Sequence, residues 1–395
     1  MKNKPRIAVI TKYFSPVTAG IETNIQETYR ELAHMGWDVT IYTSRDTLSQ
    51  KNVLPEKEVV MGLKVVRLSH LRFPLLLQVP GVADLLCLHN FNVFPHALLY
   101  LSIWLRRLMG MPTPGVFMTP HGGYTPEWPT FSSPVRLLKK YYHAGLGKFF
   151  LNTLTGQIRA ISTWEHDELV RCGIQKSSLV TIPNGLSSEA LSGSTRAITP
   201  AVRQLVEQSG DYLLAIGRLA PIKNYHTVLR ALALVKSPSL KLLIIGPIED
   251  RDYLRYLEHL AKSLGLSDRL VLGGVVRGAD KYYLIRHARA FLHLSRWESF
   301  CNSAYESMSQ KTLTIVADNT ALSSLVQDGV TGIKVKTFDY QALAKVLSSL
   351  SSPQGKKLVS QIKTNLAKTH FNSWSDTAKL MGSAYQKLLR SYVQK

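Results

Sequence analysis

Cysteine is scarce. Cys87, Cys172 and Cys301 stand far apart in 395 residues, with no CxxC pair. Three distant thiols exclude a disulfide framework and a zinc site built on paired cysteines, and they point to a reducing compartment. No apolar run reaches the roughly 20 residues of a spanning helix. Phe91–Leu105 comes nearest, but Asn92, Pro95 and His96 interrupt it, and it reads as a buried helix. The start, MKNKPRIAVITKYFSP, has too short an apolar segment before Lys12 for a signal-peptide core. A Walker loop and a GxGxxG turn are both missing. Acids are few as well: 27 Asp and Glu face 48 Lys and Arg, for a net charge of +21. From Arg196 onward there are 28 bases and 14 acids, and from Lys334 only Asp339 and Asp376 oppose eleven bases. Such an excess concentrates polyanions: phosphorylated ligands, nucleic acid or an anionic membrane surface.

With 45% hydrophobic residues the chain can bury a large core, and at about 100–200 residues per domain two domains are expected. Strand and helix patterns alternate throughout. Ile7–Ile10 reads as a strand, Ile21–Met35 as a helix stopped by Gly36, and Val39–Tyr42 as a second strand. Leu63–Leu68, Leu85–Leu88, Val116–Thr119 and Ile158–Ile161 continue the strands, with a helix over Ala97–Met109. A polar linker, Ser187–Pro200, separates a second series with strands at Tyr212–Ile216, Leu240–Ile245, Leu270–Leu272, Ala290–Leu294 and Thr312–Val316. Helices near His226–Leu234, Tyr253–Leu264, Asp280–His287 and Ser303–Ser309 fall between them. This is βαβ logic: two doubly wound α/β domains facing one another across a cleft. We divide the chain into residues 1–190, 191–372 and a terminal helix over 373–395 that returns to the N-terminal domain.

In open α/β sheets ligands bind beyond the C-terminal strand ends. After the first strand, Gly20 opens a helix, where backbone N–H groups can approach an anion; a glycine that only turns the chain would look the same. Pro120-His121-Gly122-Gly123 places a histidine at a strand end with free backbone beside it, able to donate to a hydroxyl or phosphate. His89 is similar without the glycines. Gly217-Arg218 and Lys223 follow the first strand of the second series, a fork and a point charge that can converge on a pyrophosphate. Glu298 and Glu306 stand eight residues apart across a loop and into a helix beginning near Asn302 or Ser303. Glu298 can accept from sugar hydroxyls and Glu306 from a vicinal diol such as ribose. The N–H groups of Phe300, Cys301, Asn302 and Ser303 crown that helix start.

In this order the motifs resemble a retaining GT-B glycosyltransferase of the family 4 type (glycosyl transferases group 1). The resemblance runs from Ile7 to about Lys336. It is carried by Gly20, PHGG at His121, Ile182-Pro-Asn184-Gly185, GRLAPIKN at Gly217–Asn224, Ile244-Ile-Gly246-Pro247, Glu298-x7-Glu306 and Asp328-Gly-Val-Thr-Gly332. It implies that Arg218 and Lys223 bind the donor diphosphate with Gly20 and Gly217 backbone nearby. Glu306 would hold the ribose, Glu298 a donor-sugar hydroxyl, His121 the donor sugar, and Phe300–Ser303 sugar and phosphate. It also implies retention of anomeric configuration, with no cofactor, no metal and no side-chain nucleophile. The nucleotide sugar, UDP- or GDP-linked, is a substrate. The chain departs from the pattern at Ala19, Asn224, Leu186-Ser187 and Ser324.

Ser133–Phe150 mixes bases and aromatics as a segment resting on anionic lipid would, and a packed helix with a solvated face would read alike. The preferred reading is a cytoplasmic enzyme, peripheral at the inner face of the membrane, that adds sugar to a lipid-linked or surface glycan. The alternatives are a polyanion or nucleic-acid binder and another GT-B enzyme such as a nucleotide-sugar epimerase or a sugar phosphorylase. A third is a glycosyltransferase that binds donor but no longer turns over. No nucleic-acid module is visible, so no nucleic-acid partner is expected.

Overall fold

A computed structural model describes residues 4–47, 50–69, 77–192 and 198–393. The chain forms two units, one running to Gly185 and resuming at Asn372, the other spanning Leu186–Phe371.

The first unit is built on β1 (Arg6–Ile10), β2 (Asp38–Ser44), β3 (Lys57–Val60), β4 (Leu63–Leu68), β5 (Leu85–His89), β6 (Gly115–Thr119), β7 (Gln157–Ala160) and β8 (Leu179–Thr181). They form one sheet in the order β3-β4-β2-β1-β5-β6-β7-β8, parallel except for the edge pair β3–β4. Both faces are covered, which is why the inner strands are unbroken apolar runs. Ile7 and Val9 join a core with Ile25, Tyr29 and Leu32 on one face. Ala8 and Ile10 join Leu99, Tyr100 and Ile103 on the other. The helix Trp374–Val393 completes the first of these cores with Ala378, Met381, Tyr385 and Leu388.

β3 and β8 are absent from the sequence reading. β3 is an edge strand whose side chains are half-buried or exposed, and it reaches β4 through Met61 and Gly62, both at positive φ as a two-residue hairpin requires. The helix expected over Ala97–Met109 is present at His96–Leu108, but the expectation that the apolar stretch Phe91–Leu105 forms a buried helix is corrected: only the face carrying His96, Leu99, Tyr100 and Ile103 is buried. Leu98, Leu101, Trp104 and Leu105 on the opposite face are exposed. Among the described residues no helix is long and apolar enough to cross a membrane.

The second unit carries β9 (Tyr212–Ile216), β10 (Lys241–Ile245), β11 (Leu270–Leu272), β12 (Ala290–His293), β13 (Thr314–Ala317) and β14 (Ile333–Val335), all parallel, in the order β11-β10-β9-β12-β13-β14. The five strands expected here are present, Tyr212–Ile216 and Leu270–Leu272 with the expected ends and the other three shifted by one or two residues, and β14 is an addition to them. Short helices Ser188–Ser192 and Pro200–Ser209 occupy parts of the expected linker and beyond, while residues 193–197 lie outside the described residues. In each sheet the strand order reverses once, between β1 and β5 and between β9 and β12. Such switch points open a crevice beyond the strand ends where crossovers leave in opposite directions.

Candidate functional site

At the second switch point, β9 ends at Ile216 and the chain turns through Gly217 and Arg218 toward the one-turn helix Pro221–Lys223. A Cβ on Gly246, at the end of β10, would fall 2.0 Å from the Gly217 carbonyl oxygen, so the two turns close backbone against backbone. Arg218 is thrown outward and pairs with Glu249, both about half exposed (49% and 46%). An exposed pair of this kind is worth about 0–1 kcal/mol and exchanges easily for a stronger anion.

Lys223 points inward instead. It is largely buried, and its Nζ donates to Glu298 Oε1 at 2.6 Å. The next residue, Asn224, is left-handed at φ 57 and ψ 36, a conformation open chiefly to Gly, Asn and Asp. Its buried amide donates to the Leu294 and Thr337 carbonyls at 3.1 and 2.7 Å. The departure from glycine at this position therefore keeps the turn and adds two anchors to it.

Glu298 lies in the loop after β12 and accepts a second bond, from His293 Nε2 at 2.8 Å. Burial alone would push its carboxyl up, but Lys223 and His293 outweigh burial and hold it well below the usual carboxylate range. Burial would likewise lower His293, yet Cys301 and Glu298 lift it to about 9. His293 escaped the sequence reading because a histidine closing an apolar strand looks like any core residue. Its pH signature is testable. Because His293 holds its proton more tightly folded than at the ordinary 6.5, its contribution is complete below pH 6.5 and is lost as pH rises through 9. The unfolding free energy of His293→Gln should therefore fall furthest below wild type near pH 6, by up to about 3 kcal/mol, with the gap closing toward pH 10. A gap independent of pH would show that His293 is neutral.

Cys301 sits at φ 78 just before the helix Asn302–Ser309, a strained position that costs a non-glycine residue about 1–3 kcal/mol. Ser303 Oγ donates to the Ile216 carbonyl at 3.5 Å and ties this helix start to the end of β9. His293, Glu298 and Cys301 bring N, O and S ligand atoms within 4.8 Å of one another, a donor set of the kind that suits a soft divalent metal. Here the Lys223 ammonium occupies the same carboxylate oxygen. Further along the helix, Glu306 Oε1 accepts from Lys281 Nζ at 2.8 Å, with the Tyr282 hydroxyl at 3.4 Å. Lys281 was not anticipated, since it reaches Glu306 from a separate helix, Gly278–His287. Thus Gly217, Lys223, Glu298 and the Phe300–Ser303 segment gather where β9 and β12 end, with Arg218 on the outer rim and Glu306 following on the helix.

His121 and Gly20 belong to the first unit. Gly20 opens the helix Gly20–His34 beyond β1. His121 follows β6, is left-handed at φ 52 and is buried, and burial pushes it down to about 3, so it acts as a neutral imidazole. His121 Nε2 meets His89 Nδ1 at 2.9 Å, His89 Nε2 meets the Tyr29 hydroxyl at 2.8 Å, and Tyr29 meets the Tyr385 hydroxyl at 2.9 Å. His89, rated below His121 from the sequence, is the residue that orients it. Gly122 N–H donates to Glu165, which also accepts from Ile161 N at 2.8 Å, so the PHGG turn is clamped from beneath. Burial nevertheless lifts Glu165 to about 7.

Two family models match the chain: Glycosyltransferase Family 4 over residues 18–190 and Glycosyl transferases group 1 over residues 201–368. The GDP-mannose:cellobiosyl-diphosphopolyprenol alpha-mannosyltransferase of Komagataeibacter xylinus is 23% identical over 97% of this chain and 93% of its own. The alpha-monoglucosyldiacylglycerol synthase of Streptococcus pneumoniae is 24% identical over 83% of this chain and 74% of its own. Among solved structures, Anabaena Alr3699/HepE in complex with UDP and glucose superposes with a TM-score of 0.76 at 16% identity, covering 97% of this chain and 100% of that one. With the paired doubly wound units and a motif series that both models span, the chain belongs to the GT-B glycosyltransferases of the family 4, group 1 type.

Proposed function

We propose that the protein is a retaining glycosyltransferase that moves a sugar from a GDP- or UDP-sugar to a hydroxyl of a lipid-linked or cell-surface glycan, working from the cytoplasmic face of a membrane. The observation that carries this reading is the pair Lys223–Glu298 beside Arg218 at the β9–β12 switch point. As the bond from the anomeric carbon to the diphosphate breaks, negative charge grows on the leaving oxygen. Lys223 and Arg218 meet that charge with fixed cations, Arg218 exchanging its weak partner Glu249 for phosphate. The acceptor hydroxyl forms the new bond on the same face and its proton passes to the departing phosphate oxygen. Glu298, kept ionised by Lys223 and His293, accepts from a donor-sugar hydroxyl. Glu306 accepts from the ribose diol, and the neutral His121 is able to donate to a hydroxyl. The named mannosyltransferase and glucolipid synthase support a nucleotide-sugar donor and a lipid-borne acceptor.

The test is nucleotide release from a panel of UDP-, GDP- and ADP-sugars without acceptor, paired with thermal-shift binding. One donor should be hydrolysed slowly, and Glu306→Ala should weaken its binding about 100-fold by removing a charge-assisted bond to ribose and stranding Lys281. Absence of both hydrolysis and binding across the panel would sink the reading.

A further inference from the structure

The helix His96–Leu108 buries one face in the first unit and turns an equally apolar face outward. Leu98, Leu101, Leu105 and Leu108 follow at spacings of three, four and three, so they form one stripe on the arc opposite Leu99, Tyr100 and Ile103. Trp104 borders the stripe, and Met109 continues it; Leu108 and Met109 are 66% and 65% exposed. A soluble surface helix would be polar there. At 13 residues the helix is about 20 Å long, too short to cross a hydrocarbon core of about 30 Å. A stripe of that length is suited to lying in the plane of an interface.

The charge around it names the occupant. Between Asp84 and Glu165 the only carboxylate is Glu127, against six Lys and Arg besides the buried Arg159. At the end of the stripe Arg106 Nε donates to the Pro112 carbonyl, and Arg107 to the Thr153 carbonyl and the Tyr392 hydroxyl, so these bonds meet no acid. The helix Ser133–Tyr142 is tied to the segment just ahead of His96–Leu108 by Lys139 Nζ to Asn92 Oδ1 at 3.0 Å and by stacking of Tyr142 on Phe91. It adds exposed Leu138 and Tyr141 beside Lys140. A surface that pairs with a second copy of itself gains from opposite charges; one cleared of acids and bordered by tryptophan and arginine matches anionic lipid headgroups over acyl chains.

We propose that the outer face of His96–Leu108 is the element by which the first unit embeds in an anionic bilayer. It rests on the proposed lipid-linked acceptor only for its purpose, and its test uses no donor. Full-length protein is sedimented with vesicles of phosphatidylcholine alone and of phosphatidylcholine with phosphatidylglycerol. Binding to the anionic vesicles is expected to weaken but persist in high salt. Leu101→Gln/Leu105→Gln/Leu108→Gln should lower the partition coefficient about 100-fold, roughly fivefold per half-exposed leucine, while Leu272→Gln/Val275→Gln in the second unit leaves it unchanged. Circular dichroism and thermal midpoint check that the triple variant stays folded. Donor hydrolysis in solution should survive in it, which separates this proposal from the assignment of the activity. Brominated lipids should quench wild-type fluorescence more than that of Trp104→Phe. Vesicle binding that ignores the triple variant, or a dimer in vesicle-free solution that the triple variant dissociates, would overturn the proposal.

Discussion

Lys223→Ala is expected to lower the rate of donor cleavage about 1,000-fold, the effect of removing a preorganised charge from the leaving group. It should also destabilise the second unit. Glu298 is largely buried and shares its Oε1 between Lys223 at 2.6 Å and His293 at 2.8 Å. Stripping a buried carboxylate of its only cation costs about 3–5 kcal/mol; because His293 remains, about 2 kcal/mol is expected here. The two consequences separate in a double-variant cycle. Lys223→Met/Glu298→Gln removes both charges, and its thermal midpoint should recover most of the loss seen in Lys223→Met, while cleavage stays at the low level. Recovery of cleavage together with stability would show that Lys223 only supports the fold. Lys223→Arg is not a rescue, because Gly217 packs closely against Lys223 and the Tyr225 hydroxyl and leaves little room for a planar fork.

Arg159→Met is expected to be the most destabilising single change in the first unit, by about 4 kcal/mol or more, since it strands several buried acceptors at once. The guanidinium is completely buried at the heart of β7 and remains a cation even though burial pulls it down to about 10. It donates to the Ile182 and Pro183 carbonyls at 2.8 and 3.1 Å, and to Asn24 and Asn184 Oδ1 at 3.3 and 3.2 Å. Asn24 Nδ2 in turn donates to Asn184 Oδ1 at 2.6 Å. This cluster fixes the Ile182–Gly185 segment, and Gly185 lies so close to the terminal helix that a Cβ there would stand 2.5 Å from the Trp374 backbone nitrogen. Urea unfolding followed by two probes, one in each unit, should show the transition of the first unit moving to lower urea in the variant. A loss below about 1 kcal/mol would mean that water replaces the guanidinium at little cost.

The strands of both sheets were legible because burial on two faces leaves unbroken apolar runs, as in Ile7–Ile10 and Tyr212–Ile216. The missed strands are short or sit at an edge where the pattern fades, as with β3 and β14. Lys223, Glu298 and Glu306 were legible as site candidates through their positions after strands, whereas their partners were not. Lys281 reaches Glu306 from another helix, and His293 is hidden inside its own apolar strand. Ile182-Pro-Asn184-Gly185 was visible only as a segment before a linker; its bond to Arg159 depends on strand pairing that no local spacing encodes. The helix at His96–Leu108 was read as buried because hydropathy reports how apolar a helix is and not which of its faces has a neighbour.

The interrupted path of the chain also sets an order of events at the ribosome. The second unit is a continuous stretch from Leu186 to Phe371, and among the described residues its core is closed from within that stretch. The first unit, although its strands emerge earliest, lacks Ala378, Met381, Tyr385 and Leu388 until translation has passed through the whole of the second. At about 5–20 residues per second that is a delay of roughly 10–40 s. For that interval Tyr29, Trp37 and Phe117 lack the Tyr385 side chain that packs on all three, so the nascent chain should need a holding chaperone between synthesis of its first and last segments, and the second unit should become protease-resistant first.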